Sequence, residues 1–291
     1  METGKQKSAP MSRRGVGLDI FYWNPRRPVV RGKIGRYIPL RARVNNFGDL
    51  LGPEIVRRML ERNGVSGVPA QRGQLVTVGS VMHFAQSGAI IWGTGVNGTL
   101  PPERQLVTED LDVRAVRGPR TRKVLKSRGI DAPAIYGDPG LLVGTLFPEL
   151  SGLPQRHEVS VVPHYSDVNS RDVARGGFNL VNPRMPLNEC LETIARSEAV
   201  VASSLHGLIV AESLGKPAAL FAPQKQSLFK YEDYYFGTGR AEFNVYRDPH
   251  EAVANLDKAS PPQVDLSRLM AAFPLDLWDG KAGRLQAGGR D

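Results

Sequence analysis

Val200-Val201-Ala202-Ser203-Ser204-Leu205-His206-Gly207-Leu208-Ile209-Val210-Ala211-Glu212 is the stretch that decides the fold of this 291-residue chain. Its apolar start predicts a buried strand over 199–202, and the apolar residues after Gly207 predict a helix over 208–214. His206 therefore lies between a parallel strand and a helix, at the edge where open α/β sheets bind ligands. Backbone N–H groups and the helix dipole there favour an anion, and the two serines can cap the helix. Taken alone, the stretch fits a capped turn as well as a ligand site.

Composition narrows the class of protein and of ligand. The 41% hydrophobic and 23% charged residues are ordinary for a soluble globular protein, and no run approaches the roughly 18 apolar residues of a membrane span. The polar, basic start at 1–15 is no secretory signal, and Cys190, the single cysteine, excludes an internal disulfide and a cysteine-based metal site. We therefore expect a cytoplasmic protein. The net charge of +9 suits an anionic partner, but scattered basic residues without interleaved aromatics argue against nucleic acid.

Strand and helix patterns alternate along the chain on both sides of a polar, proline-bearing break at 148–157. The first half predicts strands over 18–23, 74–78, 89–92 and 113–117, and helices over 54–63 and 120–126. The second half predicts strands over 158–162, 178–181, 199–202 and 218–221, helices over 187–196 and 208–214, one more strand and helix in 242–256, and a terminal helix over 266–273. The pattern predicts an α/β fold with two parallel sheets facing a cleft. The expected division is a disordered tail (1–14), two domains (15–150 and 151–260), and a terminal helix with a flexible tail (261–291).

Chemically useful side chains follow the predicted strands in both halves. They are Asp49, Ser80, His83, Arg117 and Asp138 in the first half, and His164, Ser203, Ser204 and His206 in the second. An arginine for an anion, a histidine for proton transfer and a carboxylate as base suit transfer of a group from an anionic donor to a hydroxyl. The histidines lack the spacing of a helical zinc site, so no metal is expected.

Three of these positions have a plainer structural interpretation. Asp138 is most simply the cap of a short helix, and Ser203 and Ser204 are as easily caps as ligands. The segment 45–49 is expected to be a glycine-bearing loop that feeds a helix and points Asp49 into the cleft. Gly93-Thr94-Gly95 has no third glycine at the dinucleotide spacing, which excludes a nucleotide fingerprint there.

Five motifs occur in one order over roughly residues 40–237. They are Asn45-Asn46-Phe47-Gly48-Asp49; Gly79-Ser80-Val81-Met82-His83 with Ile91-Trp92-Gly93-Thr94-Gly95; Val116-Arg117-Gly118-Pro119-Arg120-Thr121; Tyr136-Gly137-Asp138-Pro139; and Ser203-Ser204-Leu205-His206-Gly207. The set resembles the polysaccharide pyruvyltransferase family. The resemblance implies two facing Rossmann-like domains of the GT-B type, without a metal or other cofactor. It also implies transfer of the enolpyruvyl group of phosphoenolpyruvate to two hydroxyls of a sugar, which gives a pyruvate ketal and phosphate.

The resemblance also assigns roles to individual residues. His206 matches the family's proposed acid, and Arg117 matches an arginine expected to grip phosphate or carboxylate. Lys230 fits the family's basic position after the last strand better than Lys225 does, and Asp49 is our candidate base. The remaining residues expected to bind substrate are Asn46, Gly48, Ser80, His83, Gly95, Asp138, His164, Ser203, Ser204 and Gly207.

Two other functions fit parts of the pattern. A GT-B glycosyltransferase that uses a nucleotide sugar would share the fold, although no acidic residue is placed for a ribose. A non-catalytic glycan- or membrane-binding module would explain the basic charge but not the histidine, arginine and aspartate together. The acceptor sugar and the ketal linkage stay open. A lipid-linked acceptor would bring the protein to the inner membrane face, where a basic surface assists.

Overall fold

The computed structural model describes residues 17–28, 40–169, 177–224 and 226–278. The tail predicted over 1–14, Lys225 and the flexible tail predicted over 280–291 lie outside the described residues.

Strands and helices alternate along most of the chain. The strands are Leu18–Phe21 (β1), Arg26–Pro28 (β2), Arg41–Arg43 (β3), Gly73–Val76 (β4), Ala89–Trp92 (β5), Leu111–Ala115 (β6), His157–Val162 (β7), Asn179–Leu180 (β8), Ser197–Ala202 (β9), Ala218–Phe221 (β10) and Val245–Tyr246 (β11). The helices are Phe47–Arg62 (α1), Pro119–Lys126 (α2), Val143–Leu146 (α3), Leu187–Ala195 (α4), Leu205–Ser213 (α5), Phe229–Gly237 (α6), Pro249–Val253 (α7) and Leu266–Ala271 (α8). No helix in these described parts is long and apolar enough to cross a bilayer.

Two parallel sheets organise the chain. The first has strand order β1-β4-β5-β6 and the second β11-β10-β9-β7-β8, while β2 and β3 form a separate antiparallel ribbon. Strand β5 is buried along its whole length, as expected for a strand covered on both faces, and its residue Ile91 pairs with Val76 of β4. In the second sheet, Val200 and Ala202 of β9 pair with Ser160 and Val162 of β7. The predicted α/β fold with parallel sheets is confirmed.

Both helices that lead into the site begin earlier than predicted. Helix α1 starts at Phe47, not near residue 54, so the segment 45–49 is not a loop: its last three residues form the first helical turn. Gly48, Gly52 and Pro53 made this turn look non-helical in the sequence. Here a Cβ on Gly52 would lie 2.6 Å from the Thr77 hydroxyl oxygen, so close packing requires the glycine inside the helix. Helix α5 likewise starts at Leu205 rather than 208, which puts His206 in its first turn.

Helix α1 packs between the two sheets. Its Leu51 and Ile55 are fully buried in an apolar cluster that includes Leu75 of the first sheet and Val200 of the second. Burying each such side chain contributes about 1.5–3 kcal/mol. The helix contacts α4 and α5 on one side and β1 on the other. This packing brings the carboxyl edges of both sheets to one place.

The C-terminal helix α8 returns to the first sheet. The indole N–H of Trp92 in β5 donates a hydrogen bond of 2.9 Å to the carbonyl oxygen of Leu269, and the Trp92 ring meets Phe273 edge-on at 4.9 Å. The segment 266–273 is therefore part of the core that supports β5.

Candidate active site

A pocket of about 270 Å³ opens where the carboxyl ends of the two sheets meet. Eight of its lining residues were predicted from the sequence: Asn46, Asp49, Ser80, His83, His164, Ser204, His206 and Lys230. Nine others line it without having been predicted: Trp23, Val81, Phe84, Asn97, Thr99, Leu100, Tyr165, Leu205 and Gln226. The pocket thus gathers a carboxylate, three imidazoles and an ammonium group.

The N-termini of two helices reach the pocket. Asn46 precedes α1 and Ser204 precedes α5, and both residues line the wall. The Ser204 hydroxyl accepts a hydrogen bond of 3.3 Å from the Gly207 N–H, so the predicted cap is confirmed. Two positive helix ends on one small pocket favour a negatively charged ligand.

His206 is clamped between α1 and a buried carboxylate. A Cβ on Gly48 would lie 2.1 Å from the imidazole Nδ1, so only glycine leaves room for the ring. On the other side, Nε2 lies 3.7 Å from Oδ2 of Asp138, and both atoms are buried without a hydrogen-bond partner among the described residues. The other oxygen of Asp138 accepts a hydrogen bond of 2.9 Å from the Gly140 N–H, which confirms the predicted cap. Gly48 and Asp138 therefore border the site through His206.

Asp49 lies half-buried in the first turn of α1. Its Oδ2 accepts a hydrogen bond of 2.7 Å from the Asn46 amide. Burial raises the pKa of its carboxyl, and the positive charges of His206 and Lys230 oppose that rise only in part. A carboxylate with a raised pKa is the better proton acceptor, which suits the role of a base.

Lys230 reaches the pocket from the first turn of α6. Burial and the nearby Arg117 guanidinium lower the pKa of its ammonium group to about 7, against the opposing effects of Asp49 and Asp167. Its nitrogen also lies 5.0 Å from the centre of the Tyr231 ring. The cation at this wall therefore gains or loses its proton close to neutral pH.

Two of the pocket histidines are neutral at pH 7. Burial, followed by the charges of Lys230 and His206, lowers the pKa of His164 to about 3. Burial and Arg104 lower the pKa of His83 to about 4. Neither imidazole therefore carries the additional proton that a proton donor needs at neutral pH.

Arg117 lies behind the pocket wall rather than in it. Its side chain is fully buried, and Nε donates to Oδ2 of Asp233 at 3.1 Å. Nη1 donates to the Ser80 hydroxyl at 2.7 Å, and Nη2 donates to the Val96 carbonyl at 3.4 Å. The expectation that this guanidinium faces the cleft needs correction, because all three nitrogens are directed at protein oxygens. Arg117 reaches the pocket through Ser80.

Three other predicted site residues also lie outside the lining. A Cβ on Gly95 would lie 2.3 Å from the guanidinium of Arg117, so Gly95 makes room for that side chain. Gly207 packs on β7, where a Cβ would lie 2.7 Å from that of Val162. Ser203 is buried; its hydroxyl accepts a hydrogen bond of 2.9 Å from the His164 N–H. These residues hold the wall in place and do not touch the pocket.

Helix α6, which carries Lys230, is seated on the first half of the chain. The carboxylate of Asp233 accepts hydrogen bonds from Arg117 and from both the N–H and the hydroxyl of Thr121, at 2.8 and 2.6 Å. A Cβ on Gly118 would lie 1.8 Å from the Asp233 carbonyl oxygen, so the two backbones touch. The sequence predicted neither the helix nor this role of Asp233, although Lys230 and Asp233 stand about one helical turn apart.

A comparison with known families bears on the same part of the chain. Residues 83–225 match the family model for polysaccharide pyruvyl transferase. This region is similar to that family. The resemblance carried by the motifs is thereby confirmed, and the matched region contains His83, Asp138 and His206. Asp49 and Lys230 lie on either side of it.

Individual proteins are similar to longer or shorter parts of the chain. The succinoglycan biosynthesis protein ExoV of Rhizobium meliloti is 30% identical over 172 residues, which cover 55% of this chain and 52% of ExoV. The chain thus spans about half the length of that relative. An uncharacterized protein of Acanthamoeba polyphaga mimivirus is 26% identical over 216 residues, 67% of this chain and 71% of its own length. The crystal structure of an uncharacterized Klebsiella pneumoniae protein superposes with a TM-score of 0.44 at 13% identity, over 69% of this chain and 88% of its own.

Proposed function

We propose that the protein transfers the enolpyruvyl group of phosphoenolpyruvate to two hydroxyls of a glycan, with release of phosphate. The observation that carries the proposal is one small pocket in which His206, Asp49 and Lys230 meet the N-termini of two helices. The family match over 83–225 and the name of the succinoglycan relative support a polysaccharide or its precursor as acceptor. The proposal includes a GT-B-type arrangement, with the second half of the chain on the donor side.

The pocket suits a small, multiply charged donor. Its volume of about 270 Å³ is at the low end for ligand sites, which favours a phosphorylated three-carbon acid over a complete nucleotide sugar. The Lys230 ammonium group and the first turns of α1 and α5 supply charge and N–H donors for phosphate and carboxylate oxygens. The same groups then stabilise the phosphate as it leaves.

The reaction needs one acid, one base and two attacks on the same carbon. A proton added to C3 turns the methylene into a methyl group and leaves oxocarbenium character at C2. The first acceptor hydroxyl adds to C2 and gives up its proton; the C2–O bond to phosphate then breaks, and the second hydroxyl adds and gives up its own. Of the two hydroxyl protons, one balances the proton gained by C3 and the other ends on the released phosphate.

The pocket residues divide these roles by environment. His206 is the proposed donor to C3, because His83 and His164 are neutral at pH 7. The Nε2 atom of His206 faces the buried Asp138 carboxylate, which orients the ring. Nδ1, beside Gly48, is therefore the nitrogen that faces phosphoenolpyruvate. Asp49, with its raised pKa, accepts the hydroxyl protons.

The test measures phosphate release from phosphoenolpyruvate in the presence of a panel of galactose-, glucose- and mannose-containing oligosaccharides. Mass spectrometry of the glycans then looks for a pyruvate ketal. The wild-type protein should produce both, and His206→Asn should lose both by several orders of magnitude. His250→Asn is the matched control, since His250 is exposed on α7 and does not line the pocket. Full activity of His206→Asn removes His206 from the mechanism, and stabilisation by nucleotide sugars but not by phosphoenolpyruvate favours glycosyl transfer instead.

A further inference from the structure

Two aromatic side chains face each other at the mouth of the pocket. Trp23 follows β1 of the first sheet and Tyr165 follows β7 of the second, and their rings lie 5.7 Å apart at an angle of 51°. Both side chains are half-buried, and both line the pocket together with Phe84. The family resemblance assigned no role to any of the three.

The pocket is graded from a charged floor to this aromatic rim. His206 and His164 at the floor are each only 8% exposed. The ring of His164 lies 4.6 Å from that of Tyr165, which leads to Trp23. Beyond Trp23 lies Arg27, an exposed residue of the ribbon strand β2, 5.7 Å from the indole centroid. A small anion thus fits the floor, while a larger second substrate must enter past the aromatic pair.

The chemistry of the rim matches one class of second substrate. A pyranose presents C–H bonds on its faces and hydroxyls around its edge, so it needs an apolar platform bordered by hydrogen-bonding groups. Aromatic rings supply the platform, and they combine a large contact area with a rigid shape. The same pocket wall carries the Asn97 amide and the exposed Thr99 hydroxyl. A lipid chain would not use these hydrogen-bonding groups.

We propose that Trp23 and Tyr165 form the acceptor subsite, where a neutral pyranose ring packs on the indole with its reacting hydroxyls turned toward Asp49 and His206. The inference rests on the proposed function, and it adds the residues that select the acceptor. Tyr165 and Asp49 line the same pocket, which places the rim beside the proposed base. Trp23 and Tyr165 come from opposite sheets, so the subsite exists only when both halves are in place.

Saturation-transfer NMR with methyl β-D-galactopyranoside, methyl β-D-glucopyranoside and methyl β-D-mannopyranoside tests the subsite directly. The wild-type protein should saturate the ring C–H protons of at least one glycoside. Trp23→Ala should weaken that binding about five- to tenfold, and Trp23→Phe should restore part of it, because the platform is aromatic. Tyr22→Ala is the matched control; Tyr22 is an adjacent aromatic residue, 40% exposed, that does not line the pocket.

A second measurement separates this inference from the proposed reaction. Thermal stabilisation by phosphoenolpyruvate reports the floor of the pocket, and Trp23→Ala should keep it within about 1 °C of wild type. Equal glycoside binding by Trp23→Ala and wild type, or no binding of any of the three glycosides by wild type, overturns the acceptor subsite. If phosphoenolpyruvate does not stabilise the wild-type protein, its assignment as the donor substrate is overturned, whatever the glycosides do.

Discussion

Replacing Lys230 by methionine should change how the stability of the protein depends on pH. The folded protein lowers the pKa of this ammonium group from 10.5 to about 7. At a pH between these two pKa values, Lys230 is protonated in the unfolded chain and has released its proton in the folded chain. The free energy of unfolding of the wild type therefore rises as the pH increases from 7 toward 10.5, and this contribution is lost as the pH falls back to 7.

The size of the effect follows from the same shift. Each pH unit inside the window contributes at most about 1.4 kcal/mol, so the full window gives an upper limit of about 5 kcal/mol. Lys230 is half-buried and opens on the pocket, where water screens part of its charge. Over pH 7 to 9 we therefore expect the wild type to gain about 1–2.5 kcal/mol relative to Lys230→Met, which has no proton to release.

Urea unfolding at pH 6.5, 7.5, 8.5 and 9.5, at constant ionic strength, measures this difference. Titrating groups that Lys230 does not influence are shared by both proteins, so they cancel when the two curves are subtracted. The pKa of His164, which burial and then Lys230 lower to about 3, lies below the pH range compared. Lys126→Met is the matched control, because Lys126 is an exposed lysine at the end of α2. Its curve should run parallel to that of the wild type. Parallel curves for Lys230→Met and wild type from pH 7 to 9.5 would refute the lowered pKa of Lys230.

Two further substitutions test the contacts that hold the site. Gly48→Ala should lower the rate of phosphate release at least 100-fold while leaving the protein folded, because its methyl group would occupy the place of the His206 imidazole. Gly17→Ala is the control: Gly17 has open space around it, so this variant should keep the wild-type rate. A fully active Gly48→Ala would show that the imidazole need not lie beside residue 48. Asp233→Ala should lower the free energy of unfolding by about 3–5 kcal/mol in urea titrations, because it leaves the buried Arg117 without its carboxylate; a loss below 1 kcal/mol would contradict a structural ion pair.

The parallel strands and the ligand edge could be predicted because they depend on local pattern. Short apolar runs that end in small or polar residues mark buried strands, and the structure has strands 89–92 and 218–221 as predicted. His206 was placed at the junction of a strand and a helix for the same reason. Asp138 was interpreted as a cap, and Ser203 and Ser204 as caps or ligands. Ser204 and Asp138 accept the expected backbone hydrogen bonds, whereas the Ser203 hydroxyl accepts one from the His164 N–H instead.

The role of Arg117 could not be predicted, because its partner is distant in sequence. Its position at a strand end before Gly118 predicted a side chain in the cleft. The side chain instead turns to Asp233, which lies 116 residues away on a helix that propensity did not reveal. A sequence pattern indicates where a strand ends, but the direction of a long side chain depends on what packs against it.

Close packing also hid the start of α1. Glycine and proline within 48–53 lower helix propensity, yet the burial of Phe47 and Leu51 stabilises the turn more than that loss. The aromatic rim was missed for a different reason. Trp23 and Tyr165 are 142 residues apart in the sequence, and neither belongs to a local motif. Only the packing of the two sheets brings their rings together.

The seat of α6 on the first half also constrains the order in which the molecule can be completed. Arg117 leaves the ribosome long before Asp233. Until Asp233 has been made, the guanidinium beyond the end of β6 lacks this counterion, and the Gly118 backbone lacks the helix that packs against it. A nascent chain that ends near residue 150 therefore lacks the helix that covers this edge. Docking of α6 closes that edge and delivers Lys230 to the pocket in the same event. Unfinished molecules consequently lack Lys230 in the pocket, and the completed fold and the complete pocket arise together.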